Sequence, residues 1–325
     1  MELKLIKNHL LVHLKTDSYM LRLTLLILLG LLSSLSAENK EDKLKPWYGL
    51  LYLSYEHDTN PVQLTSQNAT NVDDTLGSAY LNLGYIWNSS HNKLRGKHEL
   101  NIYESRYKEN DTLNLRSLSF KENLVYRTKT KNTSLQLKNT FSLTHLDVDD
   151  TDYLWIASYK PEILIYHKPS KLYWLLNAQL NSGKAYRNAN VDNEGMNYKF
   201  NLKAIKKWRN KFLHHISFNT HYVDHQPELI DLQYKEYGFK LDISMYWKRM
   251  KINFGPELTW LSRSYPTISN FDRIDDELET RFHFQRTFSK IHSVDLGIVH
   301  TDHTSNSSSE EYDKIQTQIS YGVIF

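Results

Sequence analysis

Long stretches of this chain alternate apolar and polar residues with a period of two, a pattern that an amphipathic helix cannot satisfy and an extended strand can. Tyr237, Phe239, Leu241, Ile243, Met245 and Trp247 fall on one phase, and Lys240, Asp242 and Ser244 on the other. Ile252, Phe254, Leu258 and Trp260 oppose Asn253, Glu257 and Thr259 in the same way. So do Leu172, Trp174, Leu176, Ala178 and Leu180 against Asn177, Gln179 and Asn181, and Leu278, Phe282 and Phe284 against Glu277, Glu279, Arg281 and His283. Successive side chains of a strand point to opposite faces, so each segment is a ribbon that is greasy on one side and wet on the other.

Two folds use such ribbons. A soluble antiparallel sheet turns the greasy face to a core, whereas a membrane-spanning barrel turns it to lipid and the wet face to a lumen. Segment length separates them. These runs are about 11 to 15 residues, beyond the usual five or six of globular strands and enough for a tilted strand to cross a bilayer. A mean hydropathy of −0.58 argues against apolar helical spans of about 20 residues each. Twenty-two Tyr, 12 Phe and 7 Trp suit a surface that meets a membrane–water boundary, where Tyr and Trp gather.

The connections alternate as well. Short ones at 90–93, 128–132, 168–171, 208–211, 248–251 and 288–291 are interleaved with longer ones at 58–74, 107–112, 147–152, 187–195, 224–231, 262–272 and 301–311. Their succession predicts an all-β fold: a transmembrane antiparallel up-and-down barrel of about fourteen strands, with short periplasmic turns and longer external loops. Pro161 and Pro256 fall inside predicted strands, where a missing N–H weakens pairing. The short turns are rich in Lys and Arg, among them Lys93, Lys168, Lys171, Lys248, Arg249 and Lys251. The long loops are rich in Asp and Glu, among them Asp73, Asp74, Asp149, Glu194, Glu228 and Glu310. One reading is solubility; another is an acidic mouth that attracts cations over a Debye length of roughly 8 Å.

Residues 20–37 carry Arg22, an apolar run from Leu23 to Leu32 and small residues before Ala37, the layout of a secretory signal. The expected organisation is 1–37 N-terminal extension and signal peptide, 38–45 short periplasmic segment, and 46–325 barrel, with the start at Met1 or Met20. Cysteine is absent, which removes disulfides, thiolate chemistry and a lipid-attachment thiol. At the other end Ile319, Tyr321, Val323 and Phe325 are apolar at period two. That ending resembles the C-terminal targeting signal of Gram-negative outer-membrane β-barrel proteins, and the resemblance implies insertion by the barrel-assembly machinery. Residues 52–61, with Arg273, Asp275, Ser305 and Asn306, resemble the barrel domain of surface lipoprotein assembly modifiers, which implies a role in bringing lipoproteins to the cell surface.

Candidate lumen-lining residues are Glu99, Lys199, Lys203, Lys240, Asp242, Glu257, Glu277, Glu279, Arg281 and Asp295, all on wet phases. Glu122 falls on a greasy phase, an expectation of a place near a rim. Forty basic against 37 acidic residues leave no field that would select nucleic acid. Histidine is concentrated at His221 and His225, at His300, Asp302 and His303, and at His214–His215. The last two are expected on opposite faces, unable to chelate together. No Gly-x-Ser-x-Gly elbow and no helical His spacing accompanies them, so neither an enzyme nor a metal or other cofactor is expected. The expected role is a porin-like channel for small solutes, multi-pass in the outer membrane of a Gram-negative bacterium, surrounded by its lipid and lipopolysaccharide. An accessory barrel for surface lipoproteins and an outer-membrane hydrolase are the alternatives.

Overall fold

A computed structural model describes residues 46–61, 73–89, 93–149, 151–185, 194–208, 212–266, 273–288 and 291–325. The expected signal and periplasmic segments, 1–37 and 38–45, lie outside the described residues. Fourteen strands follow one another: β1 (Trp47–Asp58), β2 (Asp74–Asn88), β3 (Leu94–Tyr107), β4 (Leu115–Lys129), β5 (Thr133–Val148), β6 (Thr151–His167) and β7 (Leu172–Ala185). Then come β8 (Gly195–Lys207), β9 (Leu213–Pro227), β10 (Tyr234–Trp247), β11 (Ile252–Ser264), β12 (Ile274–Thr287), β13 (His292–Ser305) and β14 (Tyr312–Ile324). Each pairs antiparallel with its sequence neighbours, and β14 pairs with β1, so the sheet is a closed barrel. Closure satisfies every strand edge with another strand, the condition a sheet must meet inside hydrocarbon.

The register divides the side chains into two sets. Direct partners share a face, so Ser54 on β1, Ser78 on β2 and Ser105 on β3 lie on one surface, with Leu53, Ala79 and Glu104 on the other. Glu99 shows which surface is concave. It accepts hydrogen bonds from Tyr48 Oη on β1 at 2.9 Å, Asn82 Nδ2 on β2 at 3.1 Å and Asn123 Nδ2 on β4 at 2.8 Å. Side chains of β1 and β3, separated by β2, converge only on the inside of the cylinder. The opposite phase carries the exposed apolar residues, among them Phe120, Phe200, Phe218, Leu278, Leu296 and Ile298. Apolar surface turned outward on this scale needs a nonaqueous surrounding.

Among the described residues the short turns at 128–132, 168–171 and 248–251 lie where expected, and the last two end in Lys171 and Lys251 with φ of 52° and 56°; the short connections at 90–93, 208–211 and 288–291 lie largely outside the described residues. The expected long loop at 147–152 is a correction. β5 runs to Val148 and β6 begins at Thr151, with Asp149 turning at φ 50°. Asp tolerates that left-handed conformation better than most residues, so a stretch read as a longer loop is left by a tight turn at Asp149. The strands also continue past the points where polar residues suggested loops: β9 reaches Pro227, β11 Ser264 and β13 Ser305. Polar residues there hydrogen-bond along the wall and do not end the ladder.

Both prolines sit inside strands at outward positions. Pro161 keeps its pairing with Asn139 of β5, while the ladder to β7 is interrupted between Tyr159 and Glu162. Pro256 keeps its pairing with Phe282 of β12, and the ladder to β10 is interrupted beside it. Proline can lose one neighbour because it has no N–H to give.

Candidate functional site: the lumen wall

All ten candidate residues lie on the inner phase: Glu99 on β3, Lys199 and Lys203 on β8, and the other seven on β10 to β13. Lys199 and Lys203 project from β8. The inner phase of the neighbouring strands adds Lys121 on β4, Lys138 on β5 and Lys160 on β6. Lys160 lies within electrostatic reach of Lys121, Lys138 and Lys199 and 3.9 Å from the carboxylate of Glu162. Five lysines thus share one wall, and sequence reasoning named two of them. The other three share parity with the wet residues of their strands, a signal present in the sequence.

The remaining wall carries an ionic chain that steps across six consecutive strands. His221 on β9 lies 2.8 Å from Glu236 on β10. Arg263 on β11 donates to Glu236 at 2.7 Å and stands 3.6 Å from Glu277 on β12. Glu277 is 3.6 Å from His303 on β13, whose ring stacks on Tyr312 of β14 at 4.6 Å and 9°. Below this chain Lys240 and Glu257 meet at 2.5 Å, and Asp242 lies 3.1 Å from His215. Glu279, Arg281 and Asp295 continue the charged surface on β12 and β13, Asp295 lying within reach of Gln285 and Arg281. Glu236, Arg263 and His303 are missing from the expected lining for one reason. They stand near strand ends, in stretches that read as approaching a loop.

At the long-loop rim the acidic residues hold the connections in shape. Asp58, 1% exposed, accepts from the Asn60 amide at 2.8 Å and from Gln316 at 2.7 Å, with Lys314 at 3.5 Å. Asp74 accepts from the backbone N–H groups of Thr75, Glu109 and Asn110. Glu194 accepts from Lys184 at 2.8 Å and from the Ala185 amide at 3.0 Å; the Lys184 ammonium holds its carboxyl below the usual carboxylate range. Arg273 donates to Asp275 at 2.6 Å, which raises the guanidinium above its ordinary value, and its plane lies 4.2 Å from the Tyr265 ring. These carboxylates are committed to loop anchoring, so the acidic rim contributes less free charge than its composition suggests.

Histidine is distributed differently from the expectation in one respect. The β9–β10 register shifts beside Ser244, and the extra residue, His214, brings its ring to 5.4 Å from that of His215. The bulge overrides the alternation that would separate them. His300 and Asp302 point outward while His303 points inward, so alternation keeps that trio from assembling. Among the described residues no three His, Asp or Glu side chains are placed to hold a metal ion.

A closed up-and-down cylinder, apolar outside and charged inside, defines the architectural class of this chain as a β-barrel of the membrane type. No family model matches the chain, and the resemblance to surface lipoprotein assembly modifiers gains no support. No curated protein matches its sequence. Among solved structures it is similar to an anion-selective porin from Comamonas acidovorans, at 8% identity and TM-score 0.47 over 86% of this chain and 98% of that one. It is also similar to an outer membrane channel from Pseudomonas putida, at 11% identity and TM-score 0.46 over 89% and 100%. A third is OccAB3 from Acinetobacter baumannii, at 6% and 0.44 over 86% and 99%.

Proposed function

We propose that this protein is a porin-like channel of the Gram-negative outer membrane that passes small polar solutes passively. One observation carries the reading. The fourteen strands close into a cylinder whose outward phase is largely apolar and whose inward phase carries a charged belt. A cylinder of that strand number encloses more room than an eight-stranded barrel, whose side chains fill its interior. Bulk lipid would surround the outer phase, and the barrel-assembly machinery would insert it.

The distribution of charge refines the proposal. In a ring of fourteen, strands seven places apart stand opposite each other. Lys138 on β5 and Lys160 on β6 therefore look toward β12 and β13, which carry Glu277, Glu279 and Asp295. The field across the lumen runs from wall to wall, transverse to the path of a solute. Such a field orients solutes that carry both signs or a large dipole, and it gives little net preference between small cations and anions.

The test is conductance of the refolded protein in a planar bilayer. Steady steps with weak ion selectivity are expected. Glu277→Gln with Glu279→Gln should move the reversal potential toward anions, and Lys138→Gln with Lys160→Gln should move it toward cations. A folded, inserted protein with no conductance would remove the channel reading.

A further inference from the structure

The two ends of the barrel differ in charge. Alternate connections of an up-and-down barrel lie at the same end. The stretches that contain the six short ones, 75–98, 123–146, 163–191, 195–223, 243–256 and 280–294, hold no Asp or Glu. Each of them holds at least three Lys or Arg. At the long-loop end cations are neutralised in place, Lys184 by Glu194, Arg273 by Asp275 and Lys314 by Asp58.

In one sector of the short-turn end the cations are positioned without being neutralised. Lys168, in the β6–β7 turn, donates from Nζ to the carbonyl oxygens of Thr130 at 2.7 Å and Lys131 at 3.2 Å in the β4–β5 turn. Lys206, near the end of β8, donates from Nζ to the carbonyl oxygen of Ser170 in the β6–β7 turn. A carbonyl dipole fixes an ammonium but leaves its unit charge uncancelled. Each ammonium has three N–H donors, so one or more stays available after these bonds.

Placement indicates what meets those donors. Lys206 is on the outward phase, where its direct partners are Leu172 on β7 and Ile216 on β9. Its aliphatic stem follows apolar surface while its head reaches the turn, the posture of a lysine at a membrane boundary. Trp174 shares that phase, two residues along β7 from Leu172, and is exposed. Tryptophan gathers at the level of lipid headgroups. The combination recurs at the next two turns. Exposed Trp247 precedes Lys248 and Arg249, and the Arg286 guanidinium lies 4.9 Å from the exposed Phe288 ring. The cations thus follow the perimeter, as a surrounding bilayer does and a globular partner does not.

We propose that the outward edge of the β4–β5, β6–β7 and β8–β9 turns binds the phosphate of an anionic glycerophospholipid in the adjoining leaflet. Lys168 and Lys206 are the donors, and Trp174 lies beside the upper acyl chain. The phosphate supplies the negative charge that this end lacks, and the chains continue onto the exposed apolar residues Ile165, Leu176 and Leu202. A soluble polyanion would meet the charge but leave Trp174 and the stem of Lys206 in water. The site goes beyond the channel reading and needs only that the outer phase meet lipid.

Native mass spectrometry of the refolded full chain, offered phosphatidylglycerol and phosphatidylcholine with identical acyl chains, tests it. Phosphatidylglycerol should be retained preferentially. Lys168→Gln with Lys206→Gln should reduce that preference about fivefold for each lysine lost. Lys235→Gln, on the outward phase at the opposite end, should leave it unchanged. Lys168→Arg with Lys206→Arg should keep the preference, which separates charge from support of the turns. Equal retention of both lipids, or a preference that survives the double Gln change, would overturn the site. So would retention of inorganic phosphate with no preference between lipids. If the Gln variant does not fold, quenching of tryptophan fluorescence by brominated forms of the two lipids in vesicles decides. The preference of the unmodified protein should fade as salt rises from about 0.1 to 1 M and the Debye length drops from roughly 10 to 3 Å. A salt-independent preference would overturn the proposal. A barrel that conducts without lipid preference loses this inference alone, whereas a protein folded in buffer without detergent loses the membrane reading as well.

Discussion

Arg263 shows how single side chains hold this wall together. Its guanidinium stands between Glu236 and Glu277, donating to the first at 2.7 Å. Two carboxylates on alternate strands, converging on the concave side, would repel each other without it. Breaking such a pair by deleting one partner costs roughly 3–5 kcal/mol when the site is fully buried. Arg263 is about a quarter exposed, and polar neighbours can solvate the orphaned carboxylates, so Arg263→Leu should destabilise by about 2 kcal/mol. Urea unfolding from vesicles reads this. Adding Glu236→Gln to Arg263→Leu should restore part of the loss; an unchanged midpoint in the single variant would show that the pairing contributes nothing.

Among the elements, β10 and β11 approach each other closely where regular pairing is interrupted. A Cβ built on Gly255 would lie 1.8 Å from the carbonyl oxygen of Ile243, a contact that only backbone movement can relieve. Gly77 on β2 has nothing within 4 Å of the same position. Gly255→Ala should therefore lower stability by about 1–3 kcal/mol, the usual cost of overpacking, whereas Gly77→Ala should be neutral or slightly stabilising. Equal midpoints for the two variants would contradict the close approach. The turns give an opposite case. Lys251 closes its turn at φ 56°, a conformation that glycine adopts without a steric penalty. Lys251→Gly should raise the unfolding midpoint by the equivalent of about 1 kcal/mol, and a lower midpoint would show that the lysine side chain does more at that rim than tolerate its backbone.

At the scale of the whole molecule, everything depends on the seam between β1 and β14. Ser54 and Ser320 are direct partners across it, on the inner surface. A Ser54→Cys, Ser320→Cys chain should oxidise to a circle that migrates faster than the reduced form on denaturing gels after boiling. The reaction should occur only after insertion, because the two positions are far apart in sequence and meet only in the closed barrel. An open sheet would give no such product. The same closure sets the lumen charge pattern, because it turns neighbouring strands of like charge into facing walls of opposite charge.

Much of this was readable in the residues, for a physical reason. Alternation with period two is a local property of extended backbone, so the phase of Lys240, Glu257, Glu279 and the other lining candidates follows from their strand alone. Strand number followed from counting turns, since short connections join antiparallel neighbours directly. Where strands end was less legible. Whether Asp149 or Arg263 belongs to a loop depends on partners far away in sequence, and polar residues at the rims serve both states equally well. Which side of each ribbon is greasy is a local matter, because side-chain direction needs no more than the backbone's own pleat. Which charges meet, that His214 swings beside His215, and that Glu122 faces outward against His98 emerge only once the strands have paired. Those outcomes come from register and closure, which place residues of different strands side by side and are settled by pairing the whole cylinder at once.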